Sequence, residues 1–343
     1  MVMPRPRVVV VGAGVAGLTA ARYLSGSFDV VVVDKGRGVG GRLATRRIGD
    51  ATFDHGAQFI TTHTPEFAEV VAGWERAGVA RPWFQGRIGR NGIIDPDGHT
   101  RFRGVATMNA IAKHLAEGLD VRVSSRVVAL APSDAGWRMR LDDATDVAAD
   151  AVVLTAPVPQ ALALLAAGHV VLSAGDAQAL QAIRYEPCLA VLAALDGPSG
   201  LGGPGAVSPA EGSIDWMADN SRKGVSTVPA VTIHATAEFS RSHLESSDEI
   251  VIEELVRAAE LRAKPIEGQA QVQRWRFARP TRVHPERCLV LEGLPPLVCA
   301  GDAFGGAKVE GAALSGTAAS EAVSSLLGQA DPPMRKSASV EDR

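Results

Sequence analysis

The hydrophobic pattern opens with two β-branched runs, Val8 to Val11 and Val30 to Val33, which are apolar at every position rather than at alternate ones. Strands of this kind are buried on both faces, as in a parallel sheet covered by helices. Between them, a helix-forming stretch runs to about Ser25, and it begins on Gly12-Ala13-Gly14-Val15-Ala16-Gly17. Further buried strands are predicted from Ala151 to Pro157 and from Leu297 to Asp302. Helical spacing occurs in Pro65 to Gly78 (Phe67, Val70, Val71, Trp74), Met108 to Ala116 (Met108, Ile111, Ala112, Leu115) and Val158 to Leu165. In Ser240 to Arg262 the same spacing turns Ile250, Ile252, Leu255, Val256 and Ala259 inward, and a helix of small residues starts near Val309.

Shorter strands are predicted at Trp83-Phe84, Ile93 to Asp95 and Thr100 to Arg103, with Asp97-Gly98 as a hairpin turn between the last two. Val121 to Val123, Val127 to Leu130 and Trp137 to Leu141 follow. Cys188 to Leu195 and Val231 to Ala237 suggest an antiparallel sheet, separated by a Gly- and Pro-rich loop from Gly197 to Gly212. Alternation in Val272 to Pro280 puts Arg274, Arg276 and Ala278 on one face and Trp275 and Phe277 on the other.

The glycines between the first two strands have separate mechanical uses. Gly12 permits a tight turn, Gly14 lets a pyrophosphate reach the backbone, and Gly17 lets the helix pack on the strand. The helix N-terminus offers free N–H groups to phosphates. Asp34, twenty residues after Gly14, ends the second strand where it can accept hydrogen bonds from a ribose. Strand, glycine fingerprint, helix, strand and acid in this order predict a dinucleotide-binding α/β domain. A second glycine-rich run, from Lys35 to Arg42, follows at once, where a plain nicotinamide dehydrogenase more often enters another helix.

Composition narrows the class. A length of 343 residues allows two domains, and a net charge of −3 gives no electrostatic case for nucleic acid or an anionic membrane. Cys188, Cys288 and Cys299 are far apart, which argues against a disulfide framework or a cysteine-rich metal site and fits a reducing cytoplasm. The basic start, Met1 to Arg7, is not read as a signal sequence, because the fingerprint glycines interrupt the apolar run that follows. No segment offers about twenty uninterrupted apolar residues. Gln329 to Arg343 reads as a mobile tail.

Gly40-Gly41-Arg42 resembles the second element of a large flavoprotein superfamily that includes amine oxidases, phytoene desaturases and protoporphyrinogen oxidases. Together with Asp54-His55-Gly56-Ala57-Gln58-Phe59, the run from Asp34 to Arg47 resembles the renalase family, especially its bacterial branch. The resemblance implies non-covalent FAD, since Phe304, Gly305 and Gly306 stand where some amine oxidases have a flavin-linking cysteine. It implies an FAD cradle of Gly12, Gly14, Ala16, Gly17, Asp34, Lys35, Gly41, Arg42, Ala57, Val127, Gly301, Asp302, Val309, Gly311 and Ala312. In that cradle Arg42 sits by the pyrophosphate, the backbone near Val127 approaches the adenine, and Asp302 bonds the ribityl chain. The helix from Val309 aims its positive end at the flavin pyrimidine, where reduction places negative charge.

The same resemblance brings Gln58, Phe59 and Trp275 to the flavin ring or substrate, with Trp275 and Phe277 as an aromatic pair that sandwiches a flat dihydropyridine ring; His55, Phe59 and that pair can equally be core. Asn220, Ser221 and Lys223 resemble an Asn/Asp-Ser-x-Lys element whose usual following proline is absent here; an exposed polar turn is the other reading. Lys223, Arg274 and Arg276 are candidates for substrate phosphates. The fold class expected is α/β: a discontinuous Rossmann-type FAD-binding domain (residues 1–62, 104–160 and 270–328) interleaved with an α+β substrate domain (63–103 and 161–269) built on an antiparallel sheet.

The activity implied is oxidation of 2- or 6-dihydro isomers of NAD(P) to NAD(P)⁺, with hydride transfer to flavin N5 and reoxidation by O₂ to hydrogen peroxide. The expected partners are that small molecule and O₂, for a cytoplasmic monomer or homodimer with no metal. Three alternatives stay open: an amine oxidase or desaturase acting on another small molecule, a nicotinamide-dependent reductase, and a non-catalytic flavoprotein. Against an amine oxidase stands the lack of an evident paired-aromatic cage with a lysine near flavin N5.

Overall fold

The elements, in chain order, are β1 (Arg7–Val11), α1 (Val15–Leu24), β2 (Asp29–Val33), β3 (Thr45–Ile48), β4 (Ala51–Asp54), α2 (Pro65–Arg76), β5 (Ala80–Ile88), β6 (Ile94–Gly104), α3 (Asn109–Ala116), β7 (Asp120–Arg122), β8 (Val127–Ser133), β9 (Gly136–Leu141), β10 (Asp146–Ala149), β11 (Ala151–Leu154), α4 (Val158–Ala167), α5 (Ala174–Ala182), β12 (Arg184–Leu195), β13 (Ala206–Val207), β14 (Ile214–Asp219), β15 (Ala230–Ala235), α6 (Ala237–Ser242), α7 (Asp248–Ala259), β16 (Pro265–Arg282), β17 (Leu289–Val290), β18 (Leu297–Cys299) and α8 (Lys308–Leu326). They come from a computed structural model that describes residues 4–89, 92–209 and 211–328. The tail expected from Gln329 to Arg343 lies outside the described residues.

The valine runs form the centre of a six-stranded sheet of order β17-β18-β11-β1-β2-β7. All its pairings are parallel except β17 with β18. Alternate valines serve opposite faces. Val8, Val10, Val30 and Val32 meet α1, α2, α3 and α8, while Val9, Val11, Val31 and Val33 meet the three-stranded sheet β10-β9-β8 with α4 and α5. An α/β architecture with both faces of its sheet covered is thus present as expected. α8 lies close on α1: a Cβ at Gly316 would stand 2.3 Å from the Ala16 carbonyl oxygen.

The second body is the antiparallel sheet β13-β14-β15-β12-β16. One face packs on α7, and the other buries Leu192, Ala194 and Ala230 against Ile48, Ala51 and Phe53 of the β3–β4 hairpin. That second contact fixes the chain after β4 over the sheet. Among the described residues, no helix is long and apolar enough to cross a membrane.

Three local expectations change. Asp97-Gly98 is not a hairpin turn: β6 runs through it, and the four residues 96–99 bulge opposite Gly86 between the pairs Gln85–Thr100 and Arg87–Asp95. The bulge is held by Arg101, which donates to both Asp97 oxygens at 2.6 Å. In α7 the inward face is Val251, Leu255 and Ala259, while Ile250 is exposed. The alternation expected in Val272 to Pro280 also breaks. Between the pairs Glu186–Arg279 and Cys188–Trp275, residues 276–278 face the single residue Pro187, which has no N–H to give a ladder.

Candidate active site

The first glycine run and the second are hydrogen-bonded together: the Gly40 N–H donates to the Ala13 carbonyl at 2.8 Å. A Cβ on Gly41 would lie 3.4 Å from the Gly14 Cα. Gly17 is required by the protein itself, since a Cβ there would stand 1.9 Å from the Gly12 carbonyl oxygen. Gly14 is different. Nothing lies within 4 Å of its absent Cβ, and the α1 N-terminus it opens has no side-chain cap and no acid in its first turn. An uncapped helix end facing open space, with two glycine segments beside it, fits the pyrophosphate of a dinucleotide.

Asp34 closes this cradle by accepting from the Ala13 and Gly36 N–H groups, both at 2.6 Å. Lys35 is exposed and donates to Gln160 at 2.9 Å, and Val127, buried, begins β8.

Arg42 and Asp302, 260 residues apart, form a two-pronged ion pair at 2.6 and 2.7 Å. Arg42 also donates to the carbonyls of Phe277 and Ala278 at 3.4 and 3.2 Å, groups in the bulge opposite Pro187. Burial pushes the Asp302 carboxyl up, and Arg42 opposes it. Asp302 follows Gly301, whose N–H donates to Ser315 of α8 at 2.8 Å. Gly311 in the first turns of α8 has no room for a side chain, with the Gly306 carbonyl oxygen 1.7 Å from its absent Cβ. Glu310 turns the other way and accepts from the His63 and Thr64 N–H groups at 3.0 and 2.8 Å, which holds Thr64, the N-cap of α2, in place. Val309 is buried and Ala312 partly so in the same core.

The segment after β4 passes directly over Arg42. The Ala57 N–H donates to the Arg42 carbonyl at 2.8 Å, and a Cβ on Gly56 would stand 2.0 Å from that oxygen. Gln58 is buried with its amide fixed at both ends. Its Nε2 donates to the carbonyls of Asp54 and Gly56 at 2.7 and 3.1 Å, and its Oε1 accepts from Lys223 at 3.4 Å. Lys223 Nζ lies 3.0 Å from Asp54 Oδ2, with side chains 0% and 1% exposed. Asp54 Oδ1 accepts from Thr45 Oγ1 at 2.8 Å and from the Met108 N–H at 3.0 Å. Burial lowers the lysine's proton affinity and Asp54 restores part of it.

Asn220, fully buried, donates to Thr232 and accepts from the Asp54 N–H. The element around it is therefore not an exposed polar turn, although the Ser221 hydroxyl turns to Asp219.

Lys223 Nζ also sits 5.0 Å from the centre of the Trp83 ring. Trp83, Phe84, Phe59 and Trp216 form one aromatic cluster, with centroids 5.0 to 6.5 Å apart. A lysine therefore stands beside the face of a tryptophan in this cluster.

Trp275 and Phe277 do not act as a pair. Trp275 stacks on His55 at 5.4 Å and donates to its carbonyl at 2.9 Å, whereas Phe277 meets Tyr185. His234 Nε2 also lies 3.2 Å from the His55 carbonyl, and burial pushes both histidines down to about 4. Arg274 and Arg276 are engaged with Asp248 and Glu245, and Arg276 is half exposed. Among the described residues no cluster of three or more His, Cys, Asp or Glu could hold a metal.

Reading the sequence missed Asp54, Glu310, Trp216 and His234. Asp54, Glu310 and Trp216 lie within runs that resemble family motifs, but their roles, like that of His234, show only in the tertiary contacts.

Residues 10–74 match the model of an NAD(P)-binding Rossmann-like domain, and residues 85–324 match that of the flavin containing amine oxidoreductases. The chain is 25% identical to renalase of Mus musculus over 324 residues, covering 87% of this chain and 93% of the relative. It is 45% identical to polyamine oxidase 1 of Oryza sativa subsp. japonica over 64 residues, which is 18% of this chain and 12% of that protein. Among solved structures, a putative protoporphyrinogen oxidase from Exiguobacterium sp. 255-15 aligns with a TM-score of 0.71 at 14% identity, covering 94% of this chain and 99% of the other. A putrescine oxidase aligns at 0.66 and 16%, with coverage of 94% and 99%. With the matched model spanning most of the sequence, the chain belongs to the family of flavin containing amine oxidoreductases, and its cofactor is FAD.

Proposed function

We propose that this protein is a renalase-like oxidase, of the bacterial type, that converts 2- or 6-dihydro isomers of NAD(P) to NAD(P)⁺. The observation that carries the reading is the chemistry around Gln58: aromatic walls from Phe59, Trp83, Phe84 and Trp216, a fixed carboxamide, and no unpaired carboxylate among the groups named there. Such surroundings suit a flat, uncharged dihydropyridine ring and give an ammonium group no counter-ion. Likeness to mouse renalase along nearly the whole chain supports the same assignment.

Bound without a covalent link, FAD would supply the hydride acceptor and the route for electrons to O₂, with hydrogen peroxide as the co-product. The cradle of Gly12, Gly14, Ala16, Gly17, Asp34, Gly41 and Arg42 would hold its phosphates and ribose, and Asp302 and the α8 N-terminus its ring end. The residues that remain orient and desolvate the donor. Gln58 cannot rotate, because Asp54, Gly56 and Lys223 engage both ends of its amide. Its polar edge is presented in one direction only.

Amine oxidation is the second reading, favoured by Lys223 against Trp83 and by the likeness to rice polyamine oxidase 1. Aerobic turnover separates the two. The proposal expects peroxide and NAD⁺ from 6-dihydro-NAD and none from putrescine; peroxide from putrescine with no oxidation of any dihydro-NAD isomer would replace it.

A further inference from the structure

The β5–β6 hairpin places Arg81 directly opposite Arg103, two positions along from the pair Phe84–Arg101. Like charges facing each other across a ladder destabilise it. Arg103 is also only 5% exposed, so its charge is largely removed from water. The neighbouring cations are neutralised: Arg101 by Asp97 and Lys223 by Asp54. Arg81 and Arg103 are not. Among the described residues neither has a carboxylate within 4.0 Å, and Arg103 donates only to the carbonyl of Gly104 at 3.1 Å.

Their free ends converge on one point of the site. Gly224 follows Lys223 with φ +77°, and a Cβ there would stand 3.0 Å from Arg103 Nη2 and 3.5 Å from Arg81 Nη2. Lys223 joins that point to the aromatic cluster through Trp83. Arg101, on the same face of β6 as Arg103, lies 5.7 Å from the centre of the Phe59 ring. Two uncompensated guanidinium groups thus stand beside the aromatic wall, one buried and one reachable from solvent.

We propose that Arg81 and Arg103 form an oxyanion subsite that takes the phosphoryl end of the substrate, with Gly224 leaving the space it needs. This rests on the reading of the neighbouring cluster as the substrate site. Planar guanidinium forks match phosphate oxygens two at a time, and two cations match the charge of a pyrophosphate. The same pair repels ammonium groups, so the subsite selects phosphorylated donors over polyamines. It also moves the phosphate contact away from Arg276, which Glu245 already engages.

The test uses the FAD-loaded protein and two variants, Arg103→Gln and Arg81→Gln, the second exposed enough to leave the core intact. Inorganic pyrophosphate is titrated calorimetrically into each, and KM is compared for 6-dihydro-NAD and for phosphate-free 6-dihydronicotinamide riboside. Pyrophosphate should bind the unaltered protein and bind each variant about tenfold more weakly. The preference in KM for 6-dihydro-NAD over the riboside should fall by a similar factor. Equal pyrophosphate binding by all three proteins, or an unchanged preference, overturns the subsite. If neither dihydro compound reduces the flavin, the functional reading fails, and the pyrophosphate titration alone still decides whether the anion site exists.

Discussion

The ion pair between Lys223 and Asp54 supports the most demanding prediction. Both side chains are out of water, and the pair fixes Gln58 from below. Lys223→Met leaves Asp54 with its two bonds to Thr45 and Met108 on Oδ1 and no cation at Oδ2. Breaking a buried pair by removing one partner costs about 3–5 kcal/mol, whereas replacing both charges is often close to neutral. For a chain of 343 residues, an unfolding entropy of roughly 2.1 cal/mol/K per residue converts this cost to a fall in Tm of about 4–7 °C. Asp54→Asn should cost a comparable amount, and the double variant should recover at least about 2 kcal/mol of the summed losses. Thermal and urea unfolding at saturating FAD measure all three. Strictly additive losses would mean that the two charges do not depend on each other, and the reasoning about Gln58 would go with them.

Gly14→Val should abolish FAD retention, read as absorbance near 450 nm, while secondary structure and unfolding cooperativity stay intact, because open space receives the side chain; a variant still full of FAD contradicts the cradle. Gly17→Val, by contrast, should destabilise the fold itself, since the Gly12 carbonyl blocks it. Asp302→Ala should release Arg42 and lower flavin occupancy with little change in circular dichroism, and full occupancy would remove Asp302 from the site. His55 and His234 are held down to about 4, below the unfolded value near 6.5, so the unfolded chain takes up protons that the fold refuses. Their contribution is complete above about pH 6.5 and is lost as pH falls towards 4, at up to about 3 kcal/mol each. His234→Gln should flatten the stability profile in that window, and an unaltered slope would show that its burial is not what sets it.

The cofactor half of the fold was legible because it depends on local patterns. Valine runs, the spacing from Gly14 to Asp34, and the small residues of α8 state their own geometry, and the matching elements run from β1 to α8. The surroundings of Gln58 depend on meetings between distant residues. Asp54 and Lys223 are separated by most of a domain, and nothing local to either says that the other neutralises it. The aromatic cluster draws on β5, β14 and the segment after β4, so its members look like ordinary core residues one at a time. Pro187 interrupts a ladder whose other strand lies some ninety residues away, and that bulge presents two carbonyls to Arg42. Reading β16 alone as regular alternation therefore misplaced Phe277. Arg276 looked available for the same reason: its partner Glu245 belongs to the turn before α7.

The central claim is the identity of the electron donor, and an anaerobic titration of the FAD-loaded protein tests it most directly. 6-Dihydro-NAD and 2-dihydro-NAD should bleach the flavin band near 450 nm within seconds, and ordinary 4-dihydro-NADH should not. Bleaching by putrescine or another amine, with the three dihydro-NAD isomers all inert, would contradict the account.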